Sequence, residues 1–192
     1  MILTLEEVER LRARANESSE HVALEMDEET FRAFYERTAR TLRLYLARVS
    51  SAAEADDLLQ ETYYRFLRAR GTYASESHRR NALFAIATNV ARDRHRRRRR
   101  DPIAAADGPV DAVAAGAPPG ATAARVDVSR AMGRLKPRER GLLWLAYAQG
   151  WSHREIAAVL GLRIGSVKPL LFRARRRFSA LLRGETGSEG AR

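Results

Sequence analysis

The segment from Trp151 to Phe178, WSHREIAAVLGLRIGSVKPLLFRARRRF, constrains this chain more than any other stretch. Ser152, with Glu155 three residues later, has the spacing of a capping box, in which each side chain satisfies a backbone N–H of the first turn. Trp151 ahead of the cap and Ile156 inside the helix pair as a hydrophobic staple. Ile156, Ala157 and Leu160 form the buried face, and Gly161 supplies the left-handed residue that ends the helix. A second helix follows from about Gly165–Ser166, with Val167, Leu171, Ala174, Phe178 and Leu181 at helical spacing. Its opposite face carries Lys168, Phe172, Arg173 and Arg176. Two helices joined by a tight turn, the second basic on one side, make a helix-turn-helix shaped for the major groove of duplex DNA. A plain helical hairpin with solvated arginines is the competing reading. The cap, the glycine turn and the one-sided charge together favour DNA.

Charge supports this direction. The 192 residues carry 35 Lys+Arg against 24 Asp+Glu, a formal charge of +11, so a polyanion is the expected partner. Lys136 and Lys168 are the lysines and the rest of the positive charge is arginine, which suits bidentate contacts to phosphate and guanine. With no cysteine, disulfides, thiol catalysis and cysteine-ligated metals are excluded. No apolar run approaches a membrane span and the start, MILTLEEVERLRAR, lacks a signal peptide's apolar core. The expectation is a soluble, cytoplasmic protein without membrane insertion.

The chain order gives an all-α layout of two small helical domains joined by a flexible linker, the second containing the helix-turn-helix. Residues 1–26 are an N-terminal extension: a short amphipathic helix with Thr4 and Glu7 at its start, then the polar ANESSEH, with Met26 as an alternative first residue. From Asp27, the residues Phe31, Phe34, Tyr35, Thr38, Leu42, Tyr45, Leu46 and Val49 fall on one helical stripe. Ser51 and Glu54 form a second capping box, opening a helix that buries Ala55, Leu58, Leu59, Thr62, Tyr63 and Phe66. Its exposed side is acidic in front (Glu54, Asp56, Asp57, Glu61) and basic at the end (Arg65, Arg68, Arg70), an order that suits the helix dipole. Gly71 breaks that helix. Ser77 caps the next, which buries Leu83, Ile86, Ala87 and Val90 and presents Arg79, Arg80, Asn89, Arg92 and Arg96. It runs into the block Arg94 to Arg100, which repels itself unless it meets phosphate. Residues 101–124 turn abruptly to Ala, Gly and Pro, without arginine, and read as a linker. Val126, Val128, Met132 and Leu135 outline a short helix, and Pro137 opens another with Leu142, Leu143, Leu145 and Ala146 as its core. The second domain spans 125–184, the first 27–100, and residues 185–192 form a polar, disordered tail.

With AEADDLLQETYYRFL, NALFAIATNVARDRHRR and LKPRERGLLWLAYAQGWSHREIAAVLGLRIGSVKPLLFRAR in place, the chain resembles the extracytoplasmic-function sigma factors of bacterial RNA polymerase. The resemblance covers about residues 27–100 and 125–183. It implies an alternative sigma factor that binds core RNA polymerase and directs promoter recognition, −10 melting and initiation. It implies that Asp56, Asp57, Leu58, Gln60 and Glu61 dock on the polymerase clamp helices. The −10 element would meet the loop 75–80, with Ser77, Arg79 and Arg80, and the helix face of Asn89, Arg92, Arg96 and Arg97. Asn89 can offer both a donor and an acceptor to an unstacked base, and the rest of the Arg94–Arg100 run would hold flanking phosphates. The linker would thread toward the active-site channel. The −35 element would be read through Ser166, Lys168, Phe172 and Arg173, with Arg176 and Arg154 on phosphates. An anti-sigma protein is a further partner the resemblance suggests. Three positions depart from the family pattern. Ala82-Leu83 stands where many members have Trp-Leu, which leaves Tyr73 and Phe84 as the nearest aromatics for strand separation. Pro169 and Leu170 stand where Ser and Arg are usual, and Pro169 is expected to bend the recognition helix.

Two other classes were weighed. A stand-alone helix-turn-helix regulator would bind a palindrome as a dimer; the acidic helix and the Ala/Pro linker favour the sigma reading. Against an enzyme, His21, His78, His95 and His153 lie in four separate segments without metal-ligand spacing, and the glycines form no phosphate-binding loop. No cofactor, metal or small-molecule substrate is expected.

Overall fold

Residues 27–69, 73–100 and 123–184 are described by the computed structural model of the protein, and among them every regular element is helical. The chain divides into two units, the first ending at Ala106 and the second beginning at Asp107.

In the first unit, α1 spans Glu28–Val49, α2 Ala55–Arg68 and α3 Glu76–Arg100. Asp27 starts α1 by accepting the Thr30 N–H at 2.7 Å, and Glu28 and Glu29 in the first turn complement the dipole. Phe31, Phe34, Tyr35, Thr38, Leu42, Tyr45 and Leu46 are buried as their spacing requires, and Ala39 joins them. The helices α1, α2 and α3 pack pairwise on one another, closing the core with Leu58, Leu59, Tyr63, Phe66, Leu83, Phe84, Ala87 and Val90. Two buried phenols are satisfied in the same way. Thr38 donates to the Phe34 carbonyl (2.6 Å) and lies 2.7 Å from the Tyr63 hydroxyl. Thr88 donates to the Phe84 carbonyl (2.8 Å) and lies 2.7 Å from the Tyr45 hydroxyl. In each case the threonine proton is committed to its own helix, so the tyrosine of another helix donates. Such pairs cross-link helices without an unsatisfied buried hydroxyl. Burial pushes both phenols up, Tyr45 to about 12.

In the second unit, α4 spans Ala123–Gly133, α5 Pro137–Leu143, α6 His153–Leu160 and α7 Ile164–Leu182. Pro137 occupies the first turn of α5, where a missing N–H costs nothing, and Glu139 turns back to accept the Lys136 N–H at 2.9 Å. Past Leu143 the helix widens into a π turn, Trp144–Ala148, whose Trp144 carbonyl accepts from Gln149 N–H at 3.2 Å. Gly150, with φ 64°, then returns the chain, and the Trp151 N–H reaches the Leu145 carbonyl at 3.0 Å. The last helix, α7, packs against α4, α5 and α6, over a core of Leu142, Leu145, Ile156, Val159, Leu160, Val167, Leu171 and Ala174. Arg140 is buried and donates to the Gly133 carbonyl at 3.1 Å, satisfying the end of α4.

Several expectations change. Helix α3 is capped by Ser75, whose Oγ accepts the His78 N–H at 3.1 Å, and Ser77 lies within its first turn. Phe84 is core, 1% exposed, so it offers no surface for strand separation, while Ile86 is only half-buried. Ser51 does accept the Glu54 N–H (3.3 Å), but a turn at 52–54 precedes the regular helix. In α4 the buried positions are Ser129 and Ala131, and Val128 is exposed, because residues two apart cannot share a helix face. The helix also claims 123 and 124, the last two positions assigned to the linker. The extension 1–26, the break at Gly71, the rest of the linker and the tail 185–192 lie outside the described residues.

Candidate nucleic-acid interfaces

The recognition module of the second unit forms as its local chemistry dictates. Ser152 Oγ accepts the Glu155 N–H at 3.3 Å and Glu155 Oε2 accepts the Ser152 N–H at 2.9 Å. Gly161 takes φ 64° and ψ 45°, and the Leu162 N–H closes the turn on the Ala157 carbonyl at 2.8 Å. One face of α7 buries Val167, Leu171 and Ala174. The other exposes Lys168, Phe172, Arg173 and Arg176. Lys168, Phe172 and Arg176 follow at intervals of four and so stand in one row. None of the three cations in this set has an ion-pair partner among the described residues, whereas neighbouring Arg177 reaches Glu139 at 3.6 Å. Phe172, 57% exposed, is an apolar surface in the middle of that charge. Arg154, on the preceding helix, is exposed too, and Ser166 is half-buried at the start of α7. Pro169 lies inside a helix that continues to Leu182, with its ring toward solvent.

The acidic set of the first unit divides. Asp56 is held by Arg43 through two hydrogen bonds, Nε to Oδ1 at 2.6 Å and the terminal nitrogen to Oδ2 at 3.2 Å. That bonding holds the Asp56 carboxyl below its ordinary value and raises Arg43. Leu58 is 1% exposed and supports the face from beneath without reaching its surface. Asp57, Gln60 and Glu61 line an open groove of about 390 Å³ between α2 and α3, with Asp93, Arg94 and Arg97 on the far wall. Glu61 accepts from Arg65 at 2.6 Å, and Arg65 also lies 3.6 Å from Asp93.

The arginine block is helical to Arg100 and partly neutralised from within. Glu54 lies 3.5 Å from Arg98 and 4.0 Å from Arg94. Arg96 bonds Asp93, which together with Arg65 holds that carboxyl below its ordinary value. Asn89, Arg92, Arg96 and Arg97 are exposed along α3, and Arg92 donates to Asn89 Oδ1 at 3.3 Å. Arg79 and Arg80 are half-buried at the start of the helix, apart from that row. Arg80 stands at helical spacing with buried Phe84, Ala87 and Ala91. The Glu54, Arg43 and Asp93 partnerships were not read from the sequence, since helical periodicity carries no information about pairs between helices. Among the described residues no group of His, Asp and Glu is placed to hold a metal ion, and no helix is long and apolar enough to cross a membrane.

Comparison with known proteins agrees with this division. The family model for Sigma-70 region 2 matches residues 31–101 and that for Sigma-70, region 4 matches residues 125–178. The chain is 35% identical over 145 residues to the ECF RNA polymerase sigma factor EcfG of Rhodopseudomonas palustris, spanning 74% of this chain and 79% of that one. It is 32% identical to the RNA polymerase sigma factor CarQ of Myxococcus xanthus, across 86% of this chain and 95% of the relative. Among solved structures, the sigma factor RpoE from Bartonella quintana, crystallised with the anti-sigma factor NepR, superposes with a TM-score of 0.69 at 26% identity. That match covers 80% of this chain and 96% of the other.

Proposed function

The chain belongs to the extracytoplasmic-function RNA polymerase sigma factors, and from that membership we propose how its residues divide the work of an alternative sigma factor directing promoter recognition. The first unit, residues 27–100, binds core polymerase through the exposed edge of α2 and engages the −10 element through the turn before α3 and the Asn89–Arg92–Arg96–Arg97 row. The second unit, residues 125–184, reads the −35 element. There Lys168 and Arg173 address base edges, Phe172 meets a thymine methyl, and Arg154, Ser166 and Arg176 contact the backbone. The observation that carries this reading is the Lys168–Phe172–Arg173–Arg176 face, which has no internal counter-charge and is fixed from behind by Val167, Leu171 and Ala174. Such a face binds phosphate and bases without first breaking ion pairs. An anti-sigma protein, as in the RpoE–NepR complex, is proposed as a further partner, and the cytoplasm as the place where these partners meet.

For the polymerase contact, Asp57, Gln60 and Glu61 are the residues available, because Asp56 is engaged by Arg43 and Leu58 is buried. Reversing Asp57 and Glu61 to arginine leaves the Arg43–Asp56 pair intact. The double variant is expected to lose co-purification with core polymerase, and run-off transcription with it, while its helical circular dichroism is unchanged. Normal co-purification would remove α2 from the interface.

A further inference from the structure

The turn at residues 73–78 is tied to the core by a stack of side chains. Phe34 of α1 lies against Phe66 of α2, ring centroids 5.4 Å apart at 22°. Tyr73 lies on Phe66 at 5.6 Å and 12°, and meets His78 edge-on at 5.7 Å and 83°. The Arg79 guanidinium sits over two of these rings, 5.8 Å from Phe34 and 5.9 Å from Tyr73, and its Nε is buried without a hydrogen-bond partner. One cation thus joins a fully buried ring of the core to the ring that begins the turn. The backbone is fastened as well: the Ala74 N–H donates to His78 Nδ1 at 3.3 Å and the His78 N–H to Ser75 Oγ at 3.1 Å. Glu76 is held at 2.7 Å by Arg37 and at 3.4 Å by Arg79.

We propose that Tyr73 and Arg79 are positioning residues for −10 recognition, fixing the 73–78 turn before DNA arrives, and that Arg79 acts through this stack and not on phosphate. The proposal rests on the assignment of this turn and Asn89 to the −10 element. A turn ordered in advance loses no conformational entropy when it meets the strand, and its donors and acceptors discriminate between bases only while their placement is fixed. Arg92 and Arg96, exposed on the same helix, are placed for the phosphate role that Arg79 is not.

Promoter-library selection with holoenzyme assembled from the full chain tests this, using Tyr73→Leu, Tyr73→Phe, Arg79→Gln and Asn89→Ala. Tyr73→Leu and Arg79→Gln are expected to weaken discrimination at −10 bases about tenfold, within the range one mismatched pair is worth. The −35 preference stays as it is, and Tyr73→Phe, which keeps the stacked ring, retains the wild-type −10 preference. The salt dependence of promoter binding separates the two roles for Arg79. A lost phosphate contact lowers the log–log slope by about 0.9 on duplex DNA, and Arg79→Gln is expected to leave it unchanged. Wild-type −10 preference in both Tyr73→Leu and Arg79→Gln, with a changed preference in Asn89→Ala, overturns the positioning role alone. No change in any of these variants overturns the −10 assignment as well. A lowered slope for Arg79→Gln returns that residue to the phosphate. Arg79→Gln leaves all three rings in place, so it decides the matter even if Tyr73→Leu fails to fold.

Discussion

Glu54 supplies an internal counter-charge to the arginine block. Its Oε2 accepts from Ser50 Oγ at 2.6 Å and Ser51 Oγ at 3.2 Å, which turns Oε1 toward Arg98 and Arg94. A phosphate reaching those arginines must first displace a carboxylate. Glu54→Gln keeps an oxygen acceptor in the same place and removes the charge. Duplex DNA binding by the free chain is then expected to strengthen, and its log–log salt slope to steepen by up to about 0.9 for each arginine released to a phosphate. Fluorescence anisotropy over a salt series measures this; an unchanged slope means that neither arginine reaches a phosphate. The stability cost should stay within about 1 kcal/mol, because both arginines are substantially solvated.

At the scale of the element, Pro169 is the position where α7 departs from an ordinary helix. It lies past the first turn, where the ring brings no N–H for the Gly165 carbonyl. Both Pro169 and Gly165 face solvent, so water can take the place of the missing donor. Pro169→Ser restores the bond and is expected to stabilise the second unit by about 2 kcal/mol. It should also shift preference at the −35 bases nearest Lys168 without altering −10 preference; a promoter selection reads the shift and thermal melting the stability. If both chains select one −35 sequence, the proline has no influence on readout. The same helix shows what sequence reading reaches. The capping box at Ser152, the turn at Gly161 and the stripe from Val167 to Leu181 are local patterns, and all three are present. Two serines before α3 stand at equivalent offsets from possible first turns, and periodicity cannot choose between Ser75 and Ser77. The seating of Arg79 on aromatic rings and of Arg98 against Glu54 depends on how three helices pack. No window of sequence contains those partners together. The acidic set was visible as a pattern, but its division between Arg43, the core and the groove was not.

At the scale of the whole molecule, the two units differ in how they respond to alkali. Tyr45 and Tyr63 are buried in the first unit, whereas Tyr147 of the second is 60% exposed. The folded Tyr45 phenol ionises at about 12 instead of its ordinary 10, so the folded state keeps a proton that the unfolded chain releases. Its contribution is complete below pH 10 and is lost as pH rises from 10 toward 12, an effect of about 2–3 kcal/mol when finished. Tyr63, pushed up by its own burial, adds in the same direction. Calorimetry of the full chain should therefore show the first unit's transition falling above pH 10 while the second unit's is far less affected. Tyr45→Phe should flatten that fall, and since Thr88 keeps its bond to the Phe84 carbonyl, no buried hydroxyl is stranded. Equal alkaline sensitivity of both transitions would contradict this account.

The π turn at Trp144–Ala148 makes length the inherited quantity in that segment. An ordinary α turn there would hold one residue fewer for the same advance, so deleting any one of the five residues could regularise the ladder and still leave the chain misdelivered. Everything from Gly150 onward would arrive rotated by roughly a quarter to a third of a turn, with Trp151 no longer directed under the Leu145 carbonyl it now meets. Residue identity matters less: Tyr147 and Ala148 face water and can be exchanged freely. Lineages of this sequence are thus expected to drift by substitution across these positions while conserving their number, the reverse of a typical surface loop, where residues are gained and lost readily.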